Sequence, residues 1–305
     1  MTAALRFDQV VKSYPRAPTP ALDGLTFTIP AGGITGFVGH NGAGKTTTFS
    51  IVAGYLRPDR GEVDILGRGP FVASTFKGLV GVLPQDAELP DRHTPRELLR
   101  HLAQLQGLGA RAAAVESDRV LSLVQLDDRR DRRIATFSHG MRRRVAVATA
   151  LVGRPPLVLL DEPLSGLDPV QAHGLRTALA ELRGAQTLVV SSHDLADLER
   201  MCDTVVMLKN GRCVREGTLA EVTGRTGIVR WELGPGTVPV EALRARLPDH
   251  TFRVDGDGLV QEAPDGTLDP SSVVVMELLS AAAIPVRGVA RGVGLERRFI
   301  DDVLG

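Results

Sequence analysis

The chain has 305 residues, 43% of them hydrophobic, and this length allows one large core domain and a smaller second one. Its 36 basic and 36 acidic residues give a formal net charge of zero, which argues against a global positive field for nucleic acid or anionic lipid. Two cysteines, Cys202 and Cys213, are too few for a disulfide scaffold or a zinc site and fit a reducing cytosol, and no apolar run is long enough to span a bilayer.

The first part of the chain predicts two paired antiparallel strands. LRFDQVVKSY and LTFTIP alternate apolar and polar residues, and the turn-rich segment PRAPTPALDG separates them. GGITGFVG then reads as a buried strand that enters a glycine-rich turn, and KTTTFSIVAGYL (45–56) has the length and spacing of a helix. The predicted order is therefore strand, glycine loop, helix.

The glycine loop matches the pattern of a phosphate-binding loop in its required strand–helix context. Backbone N–H groups of such a loop surround phosphates, and the helix start adds a positive dipole end. Lys45 would reach the β- and γ-phosphates, and the Thr46 hydroxyl would ligate Mg²⁺. The alternative is a glycine-rich turn without a ligand. The residues predicted to contact ATP here are Gly39, His40, Asn41, Gly42, Ala43, Gly44, Lys45, Thr46 and Thr47.

Further along, the sequence predicts a helical subdomain inserted into a parallel sheet. GLVGVLP (78–84) is a short apolar strand, and residues 95–126 have helical periodicity, which places the helical subdomain at about 87–152. PLVLLD, TLVVSS and TVVMLKNGR (156–161, 187–192 and 204–212) then read as buried strands separated by helices.

Two carboxylates end the first of these strands. Ligands of open α/β sheets lie at the carboxyl ends of the strands, so Asp161 would bind Mg²⁺ and Glu162 would polarise an attacking water. A strand that ends in two solvated acids is the alternative. Because this acid pair follows a phosphate-binding loop in the same chain, the interpretation as a metal ligand and a water-polarising residue is favoured.

The order and spacing of these motifs, over roughly residues 4 to 222, resemble the ATP-binding subunit of ABC transporters. The resemblance implies that Gln85 contacts Mg²⁺ and water, that His193 hydrogen-bonds the γ-phosphate and orients the water beside Glu162, and that Tyr14 stacks on adenine. Taken alone, Gln85 reads as a surface residue, His193 as a structural histidine and Tyr14 as a strand-end aromatic.

The segment FSHGM resembles the signature motif of the same family. Ser138 is a suitable N-cap for a helix beginning near Met141, where it either only caps the helix or also binds an anion. The resemblance implies that Ser138 and Gly140 contact the ATP held by a second copy, and that Asp168 belongs to a loop linking the two sites. Asp168 otherwise reads as a plain helix start. His139 departs from the family, which has glycine at this position.

The composition changes after about Glu221, and residues 226–305 predict a small α+β domain. The expected elements are strand, helix (240–247), two strands joined by a Gly-Asp-Gly hairpin at 256–258, helix (271–283), strand and helix (294–304). This domain carries no recognisable chemistry, and it would support dimerisation or bind a partner. The predicted fold class is α/β: a P-loop NTPase parallel-sheet core with an antiparallel β subdomain and a helical subdomain (1–222), followed by the small domain.

These features predict a Mg²⁺-dependent ATPase with Glu162, His193, Lys45 and Gln85 in catalysis and Thr46, Gln85 and Asp161 at the metal. The resemblance is strongest to stand-alone subunits of bacterial exporters, and it implies a transmembrane permease and a second, identical ATP-binding subunit as partners, at the cytoplasmic face of the membrane. Nucleic acid is not expected as a partner. An ABC ATPase acting on DNA or ribosomes is the alternative, but the chain lacks the coiled coil, zinc insertion or second ATPase domain of that class. A non-hydrolysing switch is disfavoured by Glu162 and His193.

Overall fold

The computed structural model describes residues 2–223, 227–256, 258–263, 269–292 and 294–304. The chain divides into two compact units, Met1–Glu216 and Gly217–Gly305. We expected the change of domain near residues 222–226, of which 224–226 lie outside the described residues. The site predicted from the sequence belongs entirely to the first unit.

The first unit combines strands and helices in the order expected of an α/β fold. Its strands are β1 (Ala3–Lys12), β2 (Leu22–Pro30), β3 (Ile34–Gly39), β4 (Arg60–Ile65), β5 (Val80–Leu83), β6 (Leu157–Asp161), β7 (Thr187–Ser191), β8 (Thr204–Lys209) and β9 (Arg212–Thr218), of which β9 continues two residues past Glu216. Its helices are α1 (Lys45–Val52), α2 (Pro95–Leu105), α3 (Ala110–Leu123), α4 (His139–Leu151), α5 (Pro169–Ala180) and α6 (Leu195–Met201).

Two sheets form the first unit. A three-stranded sheet has the order β2-β1-β4 and is antiparallel, as the alternation in the first two strands predicts. A six-stranded sheet has the order β5-β6-β7-β3-β8-β9, and its ladders from β5 to β8 are parallel. Every residue of β6 and β7 is buried, which is typical of parallel strands covered on both faces.

The parallel ladders bring the predicted site residues to one edge of the sheet. Ser191, the last residue of β7, is paired with Asp161 at the end of β6 and with Phe37 near the end of β3. The phosphate-binding loop leaves β3 two residues later, after Gly39. The carboxyl ends of three neighbouring strands therefore meet where ligands of open α/β sheets bind.

Two element boundaries differ from the sequence prediction. Helix α1 ends at Val52 rather than near residue 56, because Gly54 adopts a φ of 77°, a conformation that ends helices. The prediction of one strand over residues 204–212 is wrong. Asn210 and Gly211 have φ values of 50° and 75°, so the Asn-Gly pair forms a turn that separates β8 from β9.

Helices α2, α3 and α4 pack against one another within the predicted helical subdomain. Helix α2 starts with a capping box, in which the Thr94 hydroxyl accepts from Glu97 N and the Glu97 carboxylate accepts from Thr94 N. Helix α4 begins at His139, two residues before the predicted start. Ser138 is its N-cap, as predicted, and its hydroxyl accepts a hydrogen bond from Met141 N at 3.3 Å.

A row of phenylalanine rings joins the two sheets of the first unit to α1. The ring centroids of Phe7 and Phe27 are 4.8 Å apart, those of Phe27 and Phe37 are 5.5 Å apart, and those of Phe37 and Phe49 are 5.6 Å apart. Offset and tilted ring pairs of this kind stabilise a core beyond the contribution of the buried area itself. This core fixes α1, and with it the glycine loop, against the central sheet.

The second unit has the predicted order of strands and helices. Its elements are α7 (Leu219–Thr223), β10 (Ile228–Leu233), α8 (Val240–Arg246), β11 (Thr251–Asp255), β12 (Gly258–Glu262), α9 (Asp269–Ala281), β13 (Val286–Arg291), α10 (Gly294–Phe299) and a π-helical turn (Ile300–Leu304). The last segment is therefore helical over 294–304, as predicted, but it changes from α-helix to π-helix at residue 300.

The strands of the second unit form an antiparallel sheet in the order β11-β12-β10-β13. Strands β11 and β12 pair as the predicted hairpin, whose middle residue, Asp257, lies outside the described residues. Trp231, Phe252 and Leu279 belong to the buried core of this unit. In the part of the chain that the structure describes, none of the helices combines the length and the apolar character needed to cross a membrane.

Candidate functional site

The glycine loop between β3 and α1 packs closely against neighbouring residues at Gly44. Gly44 is the N-cap of α1 and has a φ of 109°, in the left-handed region that favours glycine. A Cβ atom at this position would lie 2.6 Å from the Leu22 side chain and 2.9 Å from the Ala21 carbonyl oxygen. The loop conformation at Gly44 therefore excludes any side chain.

Lys45 extends along the inside of this loop. Its ammonium group donates to the carbonyl oxygens of Gly39 at 2.5 Å and His40 at 3.3 Å. Burial lowers the pKa of the Lys45 ammonium, while Glu162 and Asp161 oppose that shift. A partly buried cation held at the mouth of a backbone loop is suited to receive a phosphate group.

A cavity of about 440 Å³ opens beside the loop, a size typical of small-molecule sites. It brings together most of the residues predicted to bind nucleotide and metal. The Tyr14 hydroxyl lies 3.2 Å from the Thr47 hydroxyl, so the aromatic residue is attached to the start of α1. The cavity is lined by Tyr14, Ala21, Asn41, Gly42, Gly44, Lys45, Thr46, Thr47, Gln85, Asp161 and Glu162.

Asp161 is the buried acid of this cavity, with 3% of its surface exposed. Burial raises the pKa of its carboxyl group, a hydrogen bond from the Ser191 hydroxyl opposes the shift, and Glu162 adds to it. The same Ser191 hydroxyl accepts from Glu162 N at 3.0 Å. Ser191 was not predicted from the sequence, although its place at the end of a buried strand was the available signal.

The oxygen groups around Asp161 fit a magnesium ion. A carboxylate from Asp161, a hydroxyl from Thr46 and an amide oxygen from Gln85 line the same cavity, and Mg²⁺ prefers hard oxygen ligands of these kinds. Desolvation disfavours the ionised form of the buried Asp161 carboxylate, and a cation beside it would stabilise that ionised form.

Asp161→Asn is expected to raise the thermal unfolding temperature of the metal-free and nucleotide-free protein at neutral pH. The raised pKa means that ionised Asp161 destabilises the fold at every pH above that pKa, and the effect disappears as the pH falls toward the ordinary value for aspartate. The gain in stability would appear in calorimetry as a higher midpoint temperature of unfolding than that of the wild type. An unchanged or lowered unfolding temperature at pH 7 would contradict this prediction.

Glu162 and His193 form a pair at the edge of the cavity. His193 Nδ1 lies 2.7 Å from Glu162 Oε2, and the two side chains have 76% and 14% of their surfaces exposed. Glu162 also has a φ of 53°, an uncommon conformation for a residue with a side chain. Such conformations cluster at functional sites because the surrounding structure holds them.

Three predicted nucleotide contacts, Ser138, Gly140 and Asp168, lie outside both this cavity and the glycine loop. Ser138 caps α4, and Gly140 packs so closely on α5 that an added Cβ would lie 2.3 Å from Gln171 Oε1. Asp168 caps α5, where its carboxylate accepts from two backbone N–H groups of the first turn at 3.0 and 2.9 Å. The described contacts of Asp168 are those of an N-cap.

His139, the departure from the family pattern, faces its own chain. A Cβ atom added at Gly166 would lie 2.5 Å from the Cδ2 atom of the His139 ring, so the imidazole packs on that glycine. Gly166 has a φ of 73° and precedes Asp168 in the loop that follows Glu162. The histidine thus joins the start of α4 to this loop.

Comparison with known proteins places these features in a family context. The family profile described as ABC transporter matches residues 22–165. The Nod factor export ATP-binding protein I of Paraburkholderia xenovorans is 36% identical over 264 residues, which are 84% of this chain and 85% of that protein. A phospholipid-transporting ATPase of Homo sapiens is 37% identical over 240 residues, 78% of this chain, and the aligned part is 11% of the human protein.

Solved structures give the same result. An ATP-binding subunit of an ABC transporter is 30% identical, with a TM-score of 0.65, over 73% of this chain and 92% of that one. A bacterial Atm1-family ABC exporter with ATP bound is 25% identical, with a TM-score of 0.65, over 74% of this chain and 40% of that one.

Proposed function

The chain belongs to the family of ABC transporter ATP-binding proteins, and from this membership we propose that it is the ATP-hydrolysing motor subunit of an exporter. The membrane-spanning partner would be a separate permease, and the chain would act at the cytoplasmic face of the membrane. The Paraburkholderia relative is named for Nod factor export, which supports outward movement of the cargo.

The observation that supports an ATPase most strongly is the meeting of the Lys45 loop with Asp161 and Glu162 in one cavity. The loop N–H groups and Lys45 would hold the phosphates, and the Tyr14 ring would pack on the adenine. Thr46, Gln85 and Asp161 would hold Mg²⁺, which supplies charge neutralisation at the β- and γ-phosphates.

Glu162 is proposed to act on the water that attacks the γ-phosphorus. Its carboxylate accepts a hydrogen bond from that water while the P–O bond to the β-phosphate breaks, yielding ADP and inorganic phosphate. The contact between His193 Nδ1 and Glu162 Oε2 supports this role, because the imidazole fixes one carboxylate oxygen. The exposed His193 ring would also contact the γ-phosphate, and Lys45 and Gln85 would complete the catalytic set.

A second copy of the chain is proposed to complete the site. Ser138 and Gly140 lie at the start of the thirteen-residue helix α4, whose free N–H groups favour an anion. Because these residues and Asp168 lie outside the cavity of their own chain, they would face the ATP of the partner copy. Hydrolysis would remove the bridging γ-phosphate and allow the two copies to separate, which would drive the permease.

Copurification from membranes tests the transport role. The tagged chain, expressed in its natural host and extracted in a mild detergent, is expected to bring with it a multi-span membrane protein in stoichiometric amount. The complex is expected to hydrolyse ATP in a Mg²⁺-dependent manner. Recovery of the chain with ribosomes or DNA instead of a membrane protein would overturn the proposal and favour the non-transport class of ABC ATPase.

A further inference from the structure

Arg143 lies on α4 and is the middle of three arginines that follow the segment FSHGM. Its guanidinium reaches the carboxyl ends of β5 and β6. Its Nη1 donates to the Gln85 carbonyl oxygen at 3.1 Å. Its Nη2 donates to the carbonyl oxygens of Asp161 and, at 2.8 Å, of Glu162, and its Nε donates to the latter oxygen at 3.2 Å. One side chain therefore holds the backbone of three residues proposed to bind metal or activate water.

The backbone of Glu162 is held on both sides. The Ser191 hydroxyl accepts a hydrogen bond from the N–H group of Glu162, and Arg143 donates two hydrogen bonds to the carbonyl oxygen of Glu162. Between these contacts Glu162 has a left-handed φ of 53°. A non-glycine residue keeps such a conformation only where its surroundings impose it. In this conformation the carboxylate of Glu162 meets the imidazole of His193.

We infer that Arg143 is a positioning residue for ATP hydrolysis, which fixes the backbone of Glu162 and Gln85 so that the carboxylate faces the attacking water. The inference rests on the proposed ATPase function and adds a residue to it. Ser138 caps the helix that carries Arg143. Arg143 therefore also connects the ends of β5 and β6 in one chain to the surface proposed to close on the other.

The geometry requires arginine at this position. A guanidinium presents several N–H donors in a rigid plane. Here its three nitrogens donate hydrogen bonds to three different carbonyl oxygens. A lysine would place a single compact charge there and could not make all of these contacts at once. Arg143→Lys should therefore restore little of what Arg143→Gln removes.

The first test is steady-state ATP hydrolysis by Arg143→Gln and Arg143→Lys. We expect kcat to fall by about 10-fold or more and KM to change less than about 3-fold, because misplacement of a reacting group affects the chemical step. The matched control is Arg142→Gln. Arg142 is its neighbour on α4 and also donates to a carbonyl oxygen, that of Ile134 at 3.1 Å, but this contact lies away from the strand ends. This variant is expected to keep wild-type kcat.

The second test places Arg143→Gln in the background of Glu162→Gln. If Arg143 acts through Glu162, the double variant loses no further turnover and still forms an ATP-dependent dimer in light scattering. Wild-type kcat in Arg143→Gln, or a double variant that no longer dimerises with ATP, would overturn the inference. Wild-type turnover in Glu162→Gln alone would instead overturn the proposed function, so the two failures are distinct.

Discussion

Glu162→Gln is expected to reduce ATP turnover by about 100-fold or more while Mg²⁺ and ATP still bind. The amide keeps the size of the side chain but loses the negative charge that attracts a proton from water, and general-base contributions are typically about 100- to 10,000-fold. Lys45, Thr46 and Asp161 are untouched by the change, so nucleotide affinity should be preserved.

The same variant should accumulate as an ATP-bound dimer, because the γ-phosphate that would join the two copies is no longer removed. The measurement is light scattering with Mg²⁺ and ATP, where a doubled mass is expected for Glu162→Gln and not for the wild type after hydrolysis. Glu62→Gln, the same change at an exposed residue of β4, is the matched control and should hydrolyse ATP normally. Undiminished hydrolysis by Glu162→Gln would remove this residue from its proposed role.

Lys45→Ala is expected to weaken the binding of a fluorescent ATP analogue by about 100-fold, which corresponds to about 3 kcal/mol. Hydrogen bonds to charged groups are worth about 1.5–3 kcal/mol each, and the ammonium group would contact both the β- and γ-phosphates. Lys77→Ala removes an exposed lysine and provides the control. Equal affinities of Lys45→Ala and wild type, with Mg²⁺ present, would contradict the assignment of the loop.

Much of the site could be predicted because its residues are close together in the chain. The glycine loop needs only a strand before it, a helix after it and a lysine at its end, and all three are local patterns. The pair Asp161 and Glu162 was predicted for a similar reason, since it ends a run of apolar residues that forms the buried strand β6. The Ser138 cap was likewise a local signal.

The residues that sequence analysis missed act through distant pairing. Ser191 gains its role only because β7 lies beside β6, 30 residues away in the chain. Arg143 is the middle of three consecutive arginines in the sequence, and only the packing of α4 shows that it reaches Gln85 and Glu162. The break at Asn210 was available as a local turn signal but was outweighed by the apolar run before it.

The most direct test of the two-copy site is a mixing experiment with Lys45→Ala and Ser138→Glu. Each variant alone should be inactive: the first cannot hold the phosphates, and the second places a negative charge against the γ-phosphate of the other copy. In a mixed dimer, one site combines intact Lys45 with intact Ser138. Half of the dimers in an equal mixture are mixed, so the account predicts about a quarter of the wild-type ATPase rate. A mixture no more active than the two variants measured separately would contradict it.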